Sequence, residues 1–315
     1  MAVVNGQLTL GAMMAIQYII GQLNGPIEQL IGFVRSTQDA HLSLERLNEI
    51  HKQEDEEPDE KQFVYTLPKN GDIEIKNLSF TYPGAGNEPV LRDINLDIPE
   101  GKTTAIVGMS GSGKTTLVKL LLKFYKLDNG KISLGNFPLD NISHRGWRKH
   151  CGVVMQDGFI FSDTIARNIA VGEEHPDMQK LQHAVEVANI QNFIDSLPLG
   201  FNTKIGDEGN SISQGQKQRL LIARAVYKDP EFIFFDEATN ALDANNERTI
   251  MENLEEFLQN KTVVVVAHRL STVKNADNLV VLQEGKIVEQ GTHAELTDLG
   301  GAYYELVKNQ LELGN

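Results

Sequence analysis

The stretch Gly108-Met-Ser-Gly-Ser-Gly-Lys114-Thr115 combines glycines with a lysine and a hydroxyl at fixed spacing. It follows the β-type run Thr103-Thr-Ala-Ile-Val107 and precedes an apolar helical run. Glycines let backbone N–H groups bend around a dense negative charge, and a helix start adds its dipole. The stretch therefore predicts a triphosphate-binding loop in which Lys114 reaches the β- and γ-phosphates and Thr115 ligates Mg²⁺. The predicted nucleotide-binding residues of this loop are Gly108, Ser110, Gly111, Ser112, Gly113, Lys114, Thr115 and Thr116.

Two adjacent acids, Asp236 and Glu237, end the apolar run Phe232-Ile-Phe-Phe235. Neighbouring side chains leave a strand in different directions, so one acid can bind a metal while the other faces an attacking water. We assign Asp236 to Mg²⁺ and Glu237 to polarising the water. The alternative is a solvated strand end, which the phosphate-binding loop upstream makes the weaker interpretation.

His268 follows a second apolar run, Val263-Val-Val-Val-Ala267. A single His at a strand end is usually a polar cap, but parallel strands bring their carboxyl ends to one crevice. If this run and the run at Phe232 are neighbouring strands, His268 lies beside Glu237. We then predict that His268 senses the γ-phosphate and fixes the attacking water.

The elements that position these residues change in type along the chain. Residues 73–80 and 94–98 alternate apolar and polar side chains, the pattern of half-buried strands. The runs at Phe232 and Val263 lack alternation, which indicates strands covered on both faces, and helical patterns lie between them. This order predicts an α/β fold with parallel strands in its core and a small antiparallel β appendage.

The N-terminal part of the chain has a different composition. From about residue 7 to residue 50 the sequence predicts one long helix, apolar over residues 8–20 and amphipathic over residues 36–50. A membrane-spanning helix needs roughly 20 predominantly apolar residues. Polar side chains such as Gln17 and Gln22 interrupt the run, so hydropathy alone supports a membrane helix and an amphipathic soluble helix equally. Residues 51–70 are acidic and predict a solvated linker.

Composition limits the partners and the compartment. The formal net charge of −14 repels polyanions, so nucleic acid is not an expected partner. The single cysteine, Cys151, cannot form an internal disulfide and suits a reducing cytosol. We expect Cys151 to be a small buried apolar side chain.

In their order along the chain, the motifs resemble the nucleotide-binding domains of ABC transporters, in particular exporters with membrane and ATPase parts in one chain. The resemblance covers about residues 72–313. It adds Tyr82, Gln156, the signature-like Ile212-Ser-Gln-Gly-Gln216 and the stretch Asn240-Ala-Leu-Asp243 to the motifs above. Taken singly these have plain structural interpretations, such as a strand aromatic for Tyr82 or a helix N-cap for the signature serine.

The resemblance implies an ATPase that uses ATP and Mg²⁺, with a P-loop core, an antiparallel β subdomain and a helical signature subdomain. It implies that Tyr82 stacks on adenine and that Gln156 contacts Mg²⁺ and water. It also implies a head-to-tail dimer with a second copy or a paralogous subunit, each site combining one loop with the opposite signature. The implied catalytic residues are Lys114, Gln156, Glu237 and His268; the implied metal ligands are Thr115, Gln156 and Asp236; and the implied nucleotide contacts outside the loop are Tyr82, Ser213, Gly215, Gln216 and Asp243.

The signature-like segment departs from the family pattern Leu-Ser-Gly-Gly-Gln. Ile212 replaces the leucine, and Gln214 replaces the first glycine. If position 214 needs a positive φ, its glutamine is strained by about 1 kcal/mol or more. We expect hydrolysis to be retained.

Residues 6–50 resemble the last membrane helix of such exporters and its cytosolic extension. This resemblance favours the membrane interpretation and divides the chain into 1–50, the C-terminal part of a transmembrane domain, 51–70, a linker, and 71–315, the nucleotide-binding domain. One helix of six suggests the C-terminal part of an exporter, through truncation or an alternative start. The implied setting is a bacterial inner membrane with the ATPase on the cytoplasmic side, next to other membrane helices, in an exporter similar to those of peptides and bacteriocins.

Two other functions compete with export. A soluble ABC-type ATPase of chromosomes would insert a long coiled coil between Lys114 and Asp236, and the interval has no room for one. A ribosome-type member would carry two ATPase domains. A nucleotide-gated regulatory subunit without hydrolysis is disfavoured by Glu237 and His268 but mildly supported by Gln214.

Overall fold

The structure of the chain, a computed structural model, describes residues 9–52, 55–58, 62–69, 71–206, 209, 211–238, 242, 244–267 and 273–313. The chain divides into two compact units, Met1–Glu60 and Lys61–Asn315. The division falls inside the segment 51–70 that we predicted as a linker.

The first unit is built on one helix, α1 (Leu10–His51), which contains Pro26. The long helix predicted from about residue 7 is thus present from Leu10 onward. Large apolar side chains, including Tyr18 and Phe33, are exposed along it. Across the described ranges, no helix combines the length and the apolarity that a bilayer crossing requires. The membrane helix stays a prediction drawn from the family resemblance.

The second unit starts with residues from the acidic segment. Val64 forms a parallel bridge with Ile142, and its N–H donates to the Asn141 carbonyl at 2.8 Å. The Ser143 N–H donates in turn to the Val64 carbonyl at 2.9 Å. This part of the segment therefore packs on the domain by backbone hydrogen bonds.

The second unit mixes strands and helices. Its strands are β1 (Ile73–Phe80), β2 (Leu91–Ile98), β3 (Thr103–Val107), β4 (Asn129–Leu134), β5 (Phe137–Pro138), β6 (Cys151–Val154), β7 (Asp163–Thr164), β8 (Lys204–Ile205), β9 (Phe232–Asp236), β10 (Thr262–Val266), β11 (Asn278–Gln283) and β12 (Lys286–Gly291). Its helices are α2 (Lys114–Leu121), α3 (His144–His150), α4 (Ile165–Ile169), α5 (Met178–Val187), α6 (Gln191–Asp195), α7 (Gln214–Lys228), α8 (Ala244–Phe257), α9 (His293–Leu299) and α10 (Ala302–Leu313).

The strands form the two predicted sheets and one short pair. An antiparallel sheet has the order β2-β1-β4-β5, and a six-stranded sheet has the order β12-β11-β3-β10-β9-β6. Strands β6, β9, β10, β3 and β11 are parallel, and β12 is antiparallel to β11. Strands β7 and β8 form a separate antiparallel pair. The α/β prediction with an antiparallel β subdomain is confirmed.

The centre of the six-stranded sheet is buried on both faces, as the apolar runs predicted. Every residue of β9 and β10 is buried. In β9, Phe232 and Phe234 pack in one apolar cluster with α2 and the antiparallel sheet, whereas Ile233 and Phe235 pack in a second cluster with α5 and α7. Side chains alternate across a strand, so the two clusters lie on opposite faces.

Candidate active site

The phosphate-binding loop connects β3 to α2, and its backbone requires glycine at two positions. Gly108 has a φ of +152°, and a Cβ there would lie 2.1 Å from the Leu282 carbonyl oxygen. Gly113 has a φ of +105°, and a Cβ there would lie 2.6 Å from Leu91 Cδ2. Both distances are shorter than any real contact, so the sequence motif reflects the close packing of this loop against β11 and β2.

The loop presents donors for an anion. Ser110 and Gly111 are exposed at its rim, and the buried Ser112 hydroxyl has no hydrogen-bond partner. Helix α2 starts after Gly113 with no side-chain cap. Uncapped N–H groups and the helix dipole favour a phosphate at this position. The Ser112 hydroxyl and the uncapped start of α2 therefore offer donors to an anion, and the phosphate contacts of the other loop residues stay a prediction.

Lys114 is a buried cation held by the loop itself. Only 5% of Lys114 is exposed, and its ammonium donates to the carbonyls of Gly108 at 2.9 Å and Met109 at 2.8 Å. Burial lowers the pKa of Lys114, and the charges of Glu237 and Asp236 oppose that shift. The ammonium is thus held by the loop within the electrostatic influence of both acids, and it can exchange the carbonyl oxygens for phosphate oxygens.

Asp236 and Thr115, both predicted metal ligands, are in direct contact. The Thr115 hydroxyl donates to Asp236 Oδ1 at 3.1 Å. Burial raises the pKa of Asp236, the Thr115 hydrogen bond lowers it, and the charge of Glu237 raises it further. The other oxygen, Asp236 Oδ2, is buried without a partner. A hydroxyl beside a carboxylate oxygen that lacks a donor is a donor set that fits Mg²⁺.

Glu237 follows β9 in a conformation that needs support. Its φ is +53°, its N–H donates to the Val266 carbonyl at 2.9 Å, and its carbonyl accepts from Gln218 Nε2 at 3.0 Å. Gln218 is not among the site residues predicted from the sequence. Its only signal is a glutamine among the apolar residues that α7 buries, since a buried amide must find a partner.

Tyr82 lies beside the start of α2. Its hydroxyl shares a hydrogen bond of 3.0 Å with the Thr116 hydroxyl. Its ring meets Phe80 and Tyr125 edge to face, with centroid distances of 5.1 and 5.2 Å. The structure thus brings two predicted nucleotide contacts, Tyr82 and Thr116, together. Adenine stacking on Tyr82 stays a prediction.

Gln156 leaves the sheet at the same edge as the acid pair. Strand β6 runs parallel to β9, with Val154 opposite Phe235. Both strands therefore end at the same edge of the sheet, at the level of Asp236. Gln156 is exposed in the turn after β6. Its contact with Mg²⁺ and water stays a prediction.

The signature-like segment is the start of α7. The Ser213 hydroxyl accepts from the Gln216 N–H at 3.2 Å, and the Gln216 side chain accepts from the Ser213 N–H at 2.8 Å. Gln214 is the first helical residue and does not have a positive φ. The strain considered for Gln214 is therefore absent. Ser213 is exposed, and Gly215 follows it in the first turn of the helix.

Asp243 and His268 lie outside the described residues. The condition on which the prediction for His268 depends is met, because β10 pairs in parallel with β9 and Val266 lies opposite Asp236. The Ala267 N–H continues toward the same edge by donating to the Ile106 carbonyl at 3.4 Å.

A phosphate-binding loop, a buried Lys and a strand-end acid pair on a parallel sheet define a P-loop nucleoside-triphosphatase domain. Residues 91–240 match the family model described as ABC transporter. The chain therefore carries the ATP-binding domain of an ABC transporter.

Curated proteins are similar to the chain over nearly its full length. The chain is 37% identical over 307 residues to the fatty acid ABC transporter ATP-binding/permease protein of Mycobacterium bovis, covering 97% of the chain and 48% of the relative. It is 39% identical over 313 residues to the leukotoxin translocation ATP-binding protein LktB of Mannheimia glucosida, covering 99% of the chain and 43% of the relative. The chain thus spans less than half the length of these curated relatives.

A solved structure is also similar. The structure of a bacterial Atm1-family ABC exporter with ATP bound superposes with a TM-score of 0.78 at 30% identity, covering 96% of this chain and 53% of that one. The α/β fold with its helical subdomain is therefore that of ABC exporter ATP-binding domains.

Proposed function

We propose that the chain binds MgATP and hydrolyses its γ-phosphate bond. The observation that carries this proposal is the contact between Thr115 and Asp236 at 3.1 Å, which joins the phosphate-binding loop to the acid pair. Lys114, whose pKa is lowered by burial and raised by Glu237 and Asp236, lies within the field of both acids. One edge of the sheet thus offers a phosphate cradle, a cation and two carboxylates.

Binding of the triphosphate would change the hydrogen-bond partners of the loop residues. Lys114 releases the carbonyls of Gly108 and Met109 and pairs with the β- and γ-phosphate oxygens. The Ser112 hydroxyl and the N–H groups at the start of α2 donate to the same anion. Tyr82 stacks on adenine from its position beside Thr116.

Thr115 and Asp236 would hold Mg²⁺, with Gln156 as a third ligand. When bound, Mg²⁺ neutralises charge on the phosphate oxygens and orients them for in-line attack. Asp236 supplies the buried oxygen that lacks a donor. Few protein ligands suit this ion, since Mg²⁺ keeps several waters and phosphate oxygens in its shell.

Glu237 would polarise the attacking water. Its backbone is fixed to β10 and to α7, which aims the half-buried carboxylate from the edge of the sheet. His268 would contact the γ-phosphate and the same water, and Gln156 would link the site to membrane helices. Proton acceptance by a positioned carboxylate is general base catalysis.

The site would be completed by a second copy or a paralogous subunit. Ser213 is exposed, and its hydrogen bonds stay within the cap of α7. In a head-to-tail dimer, Ser213, Gly215, Gln216 and Asp243 contact the nucleotide in the opposite loop, which creates two composite sites. Loss of the γ-phosphate removes the shared ligand and lets the two copies separate.

The dimer would drive export across a membrane. The similar proteins are named for fatty acid transport and leukotoxin translocation, and the similar structure is an ABC exporter. We place the chain at the bacterial inner membrane, with residues 1–50 as membrane helix and extension, 51–70 as a linker and 71–315 as the cytoplasmic ATPase. A formal net charge of −14 agrees with a role that does not involve nucleic acid.

The test is the variant Glu237→Gln in the full chain. We expect turnover to fall at least about 100-fold, since a general base contributes that much. ATP binding should persist, and light scattering should show an ATP-trapped dimer. Glu255→Gln, which changes an exposed acid on α8, is the control and should keep wild-type turnover. Undiminished phosphate release by Glu237→Gln would overturn the role of Glu237, and a wild-type chain without ATPase activity would favour a regulatory subunit.

A further inference from the structure

The helix that carries the signature-like segment also holds the backbone of the proposed catalytic acid. The Gln218 side chain is 6% exposed and donates from Nε2 to the Glu237 carbonyl at 3.0 Å. On its other side, the Glu237 N–H donates to the Val266 carbonyl at 2.9 Å. The two backbone polar groups of Glu237 are thereby tied to different elements, α7 and β10.

The contact with Gln218 has a conformational consequence. Glu237 has a φ of +53°, in the left-handed region that a residue with a Cβ disfavours. Such a conformation persists only where the surroundings hold it. The bond to Val266 fixes the N-terminal side of Glu237, and the bond from Gln218 fixes its carbonyl side. The direction of the carboxylate therefore depends on Gln218.

Gln218 is rigidly connected to the start of α7. Ser213 and Gln216 form a reciprocal capping box, so the first turn of the helix is well defined. Gln218 lies a little more than one turn further on, about 7.5 Å along the helix axis. A displacement of the helix start would therefore reach Gln218 almost unchanged.

In the proposed dimer these two contacts serve different nucleotides. Ser213 of one copy faces the nucleotide in the partner's loop, whereas Glu237 of that copy acts on the nucleotide in its own loop. We propose that Gln218 is a positioning residue that couples the two ATP sites. Closure of the signature on one nucleotide sets, through Gln218, the carboxylate at the other. This inference rests on the dimer described under the proposed function.

A second set of hydrogen bonds ties α7 to the start of α8. Arg219 Nη1 donates to the Asn189 carbonyl at 2.8 Å, and Asn189 Nδ2 donates to Asn246 Oδ1 at 3.0 Å. Asn246 lies in the first turn of α8. Helix α7 is thus hydrogen-bonded to Glu237 and, through Asn189, to the start of α8, which makes a movement of α7 independent of Glu237 unfavourable.

The test is Gln218→Met in the full chain, because methionine keeps the length and removes the amide donor. We expect kcat to fall about 10- to 100-fold, the effect of a small misplacement of a catalytic group. The KM for MgATP should change less than about threefold, and the Hill coefficient should fall toward 1 because coupling between the sites is lost. Should Gln218→Met not fold, Gln218→Asn withdraws the donor by one methylene and should show the same changes.

The matched control is Tyr227→Phe, which removes two other hydrogen bonds of α7, the one that the Tyr227 hydroxyl donates to Glu173 and the one that it accepts from the Asp177 N–H. It should keep the wild-type kcat and Hill coefficient. If Tyr227→Phe reproduces the loss, general loosening of α7 explains it and the coupling is refuted. If the wild-type chain hydrolyses ATP cooperatively and Gln218→Met does the same, the coupling is wrong and the proposed function stands. A wild-type chain that neither hydrolyses MgATP nor dimerises refutes both.

Discussion

Asp236 is a residue of the proposed site whose buried charge lowers the stability of the nucleotide-free domain. The side chain is 1% exposed, burial raises its pKa, and Oδ2 has no hydrogen-bond partner. An ionised carboxylate in such surroundings is unfavourable until a cation reaches it. Asp236 therefore destabilises the nucleotide-free domain, and a bound Mg²⁺ would offset that destabilisation.

Asp236→Asn should accordingly stabilise the nucleotide-free chain. Without metal at neutral pH, we expect a gain of about 1 kcal/mol, in the range of one unsatisfied buried polar group, or a Tm increase of about 3 °C. A raised carboxyl pKa makes the ionised form unfavourable above that pKa. The gain should therefore be full at neutral pH and shrink as the pH falls toward 3.8, the ordinary value.

Thermal unfolding in EDTA at two pH values measures this effect. Asp97→Asn replaces an exposed carboxylate on β2 and should leave the Tm within about 1 °C, as expected for surface substitutions. A lower Tm for Asp236→Asn than for the wild type would show that the buried carboxylate is stabilised by contacts other than those seen here.

At the scale of elements, the sequence predicts those parts whose cause is local. Strands β1 and β3 coincide with the predicted residues 73–80 and 103–107, because alternation and the run before Gly108 are local patterns. The apolar runs of β9 and β10 predicted two strands covered on both faces, whereas their pairing was only assumed for the prediction about His268 and is shown by the structure. The bridge of Val64 to Ile142 did not, since acidic neighbours hide it and its partner is distant in sequence.

The contact of Gln218 with Glu237 could not be predicted from the sequence for a related reason. A glutamine on a helix is compatible with solvent, and only the fold places it against the Glu237 carbonyl. The strain considered for Gln214 had a similar origin, because a glycine in the family pattern does not reveal the φ of the residue that replaces it. The structure makes Gln214 an ordinary first-turn helical residue.

Gln214→Gly tests the helical role of this position by its sign. If Gln214 were strained, glycine would stabilise the chain. Since Gln214 begins α7, we expect glycine to destabilise it by about 0.5 kcal/mol through the lower helix propensity, a Tm decrease of about 1–2 °C. The kcat for ATP should stay within about twofold, because the Ser213 cap is retained. Thermal unfolding and steady-state ATPase measurements check both values, and a higher Tm would restore the strain hypothesis.

At the scale of the whole molecule, the proposed dimer would take the two halves of each site from different copies. Lys114 is buried in the loop, whereas Ser213 is exposed at the start of α7. Two inactive variants can therefore complement each other only if the copies exchange these parts. Lys114→Met disables the loop, and Ser213→Asp places a negative charge where the phosphate would lie while keeping a good N-cap residue.

Each variant alone should have almost no ATPase activity, because both sites of its dimer are damaged. Mixed in equal amounts, half of the dimers contain both variants, and each of these has one intact site and one doubly damaged site. Independent sites would give about a quarter of wild-type activity in a head-to-tail dimer. If the sites are coupled through Gln218, the copy that supplies Glu237 to the intact site carries the damaged signature, and we expect activity below a quarter but above that of either variant alone. Mixing Lys114→Met with Glu237→Gln is the control, since both changes disable the loop side and no intact site can form. The first mixture could be inactive although two affinity tags show that mixed dimers have formed. Either each copy then encloses its own nucleotide, or one intact site cannot turn over alone. Single-turnover hydrolysis in the same mixture separates these two explanations, because only the composite site retains it.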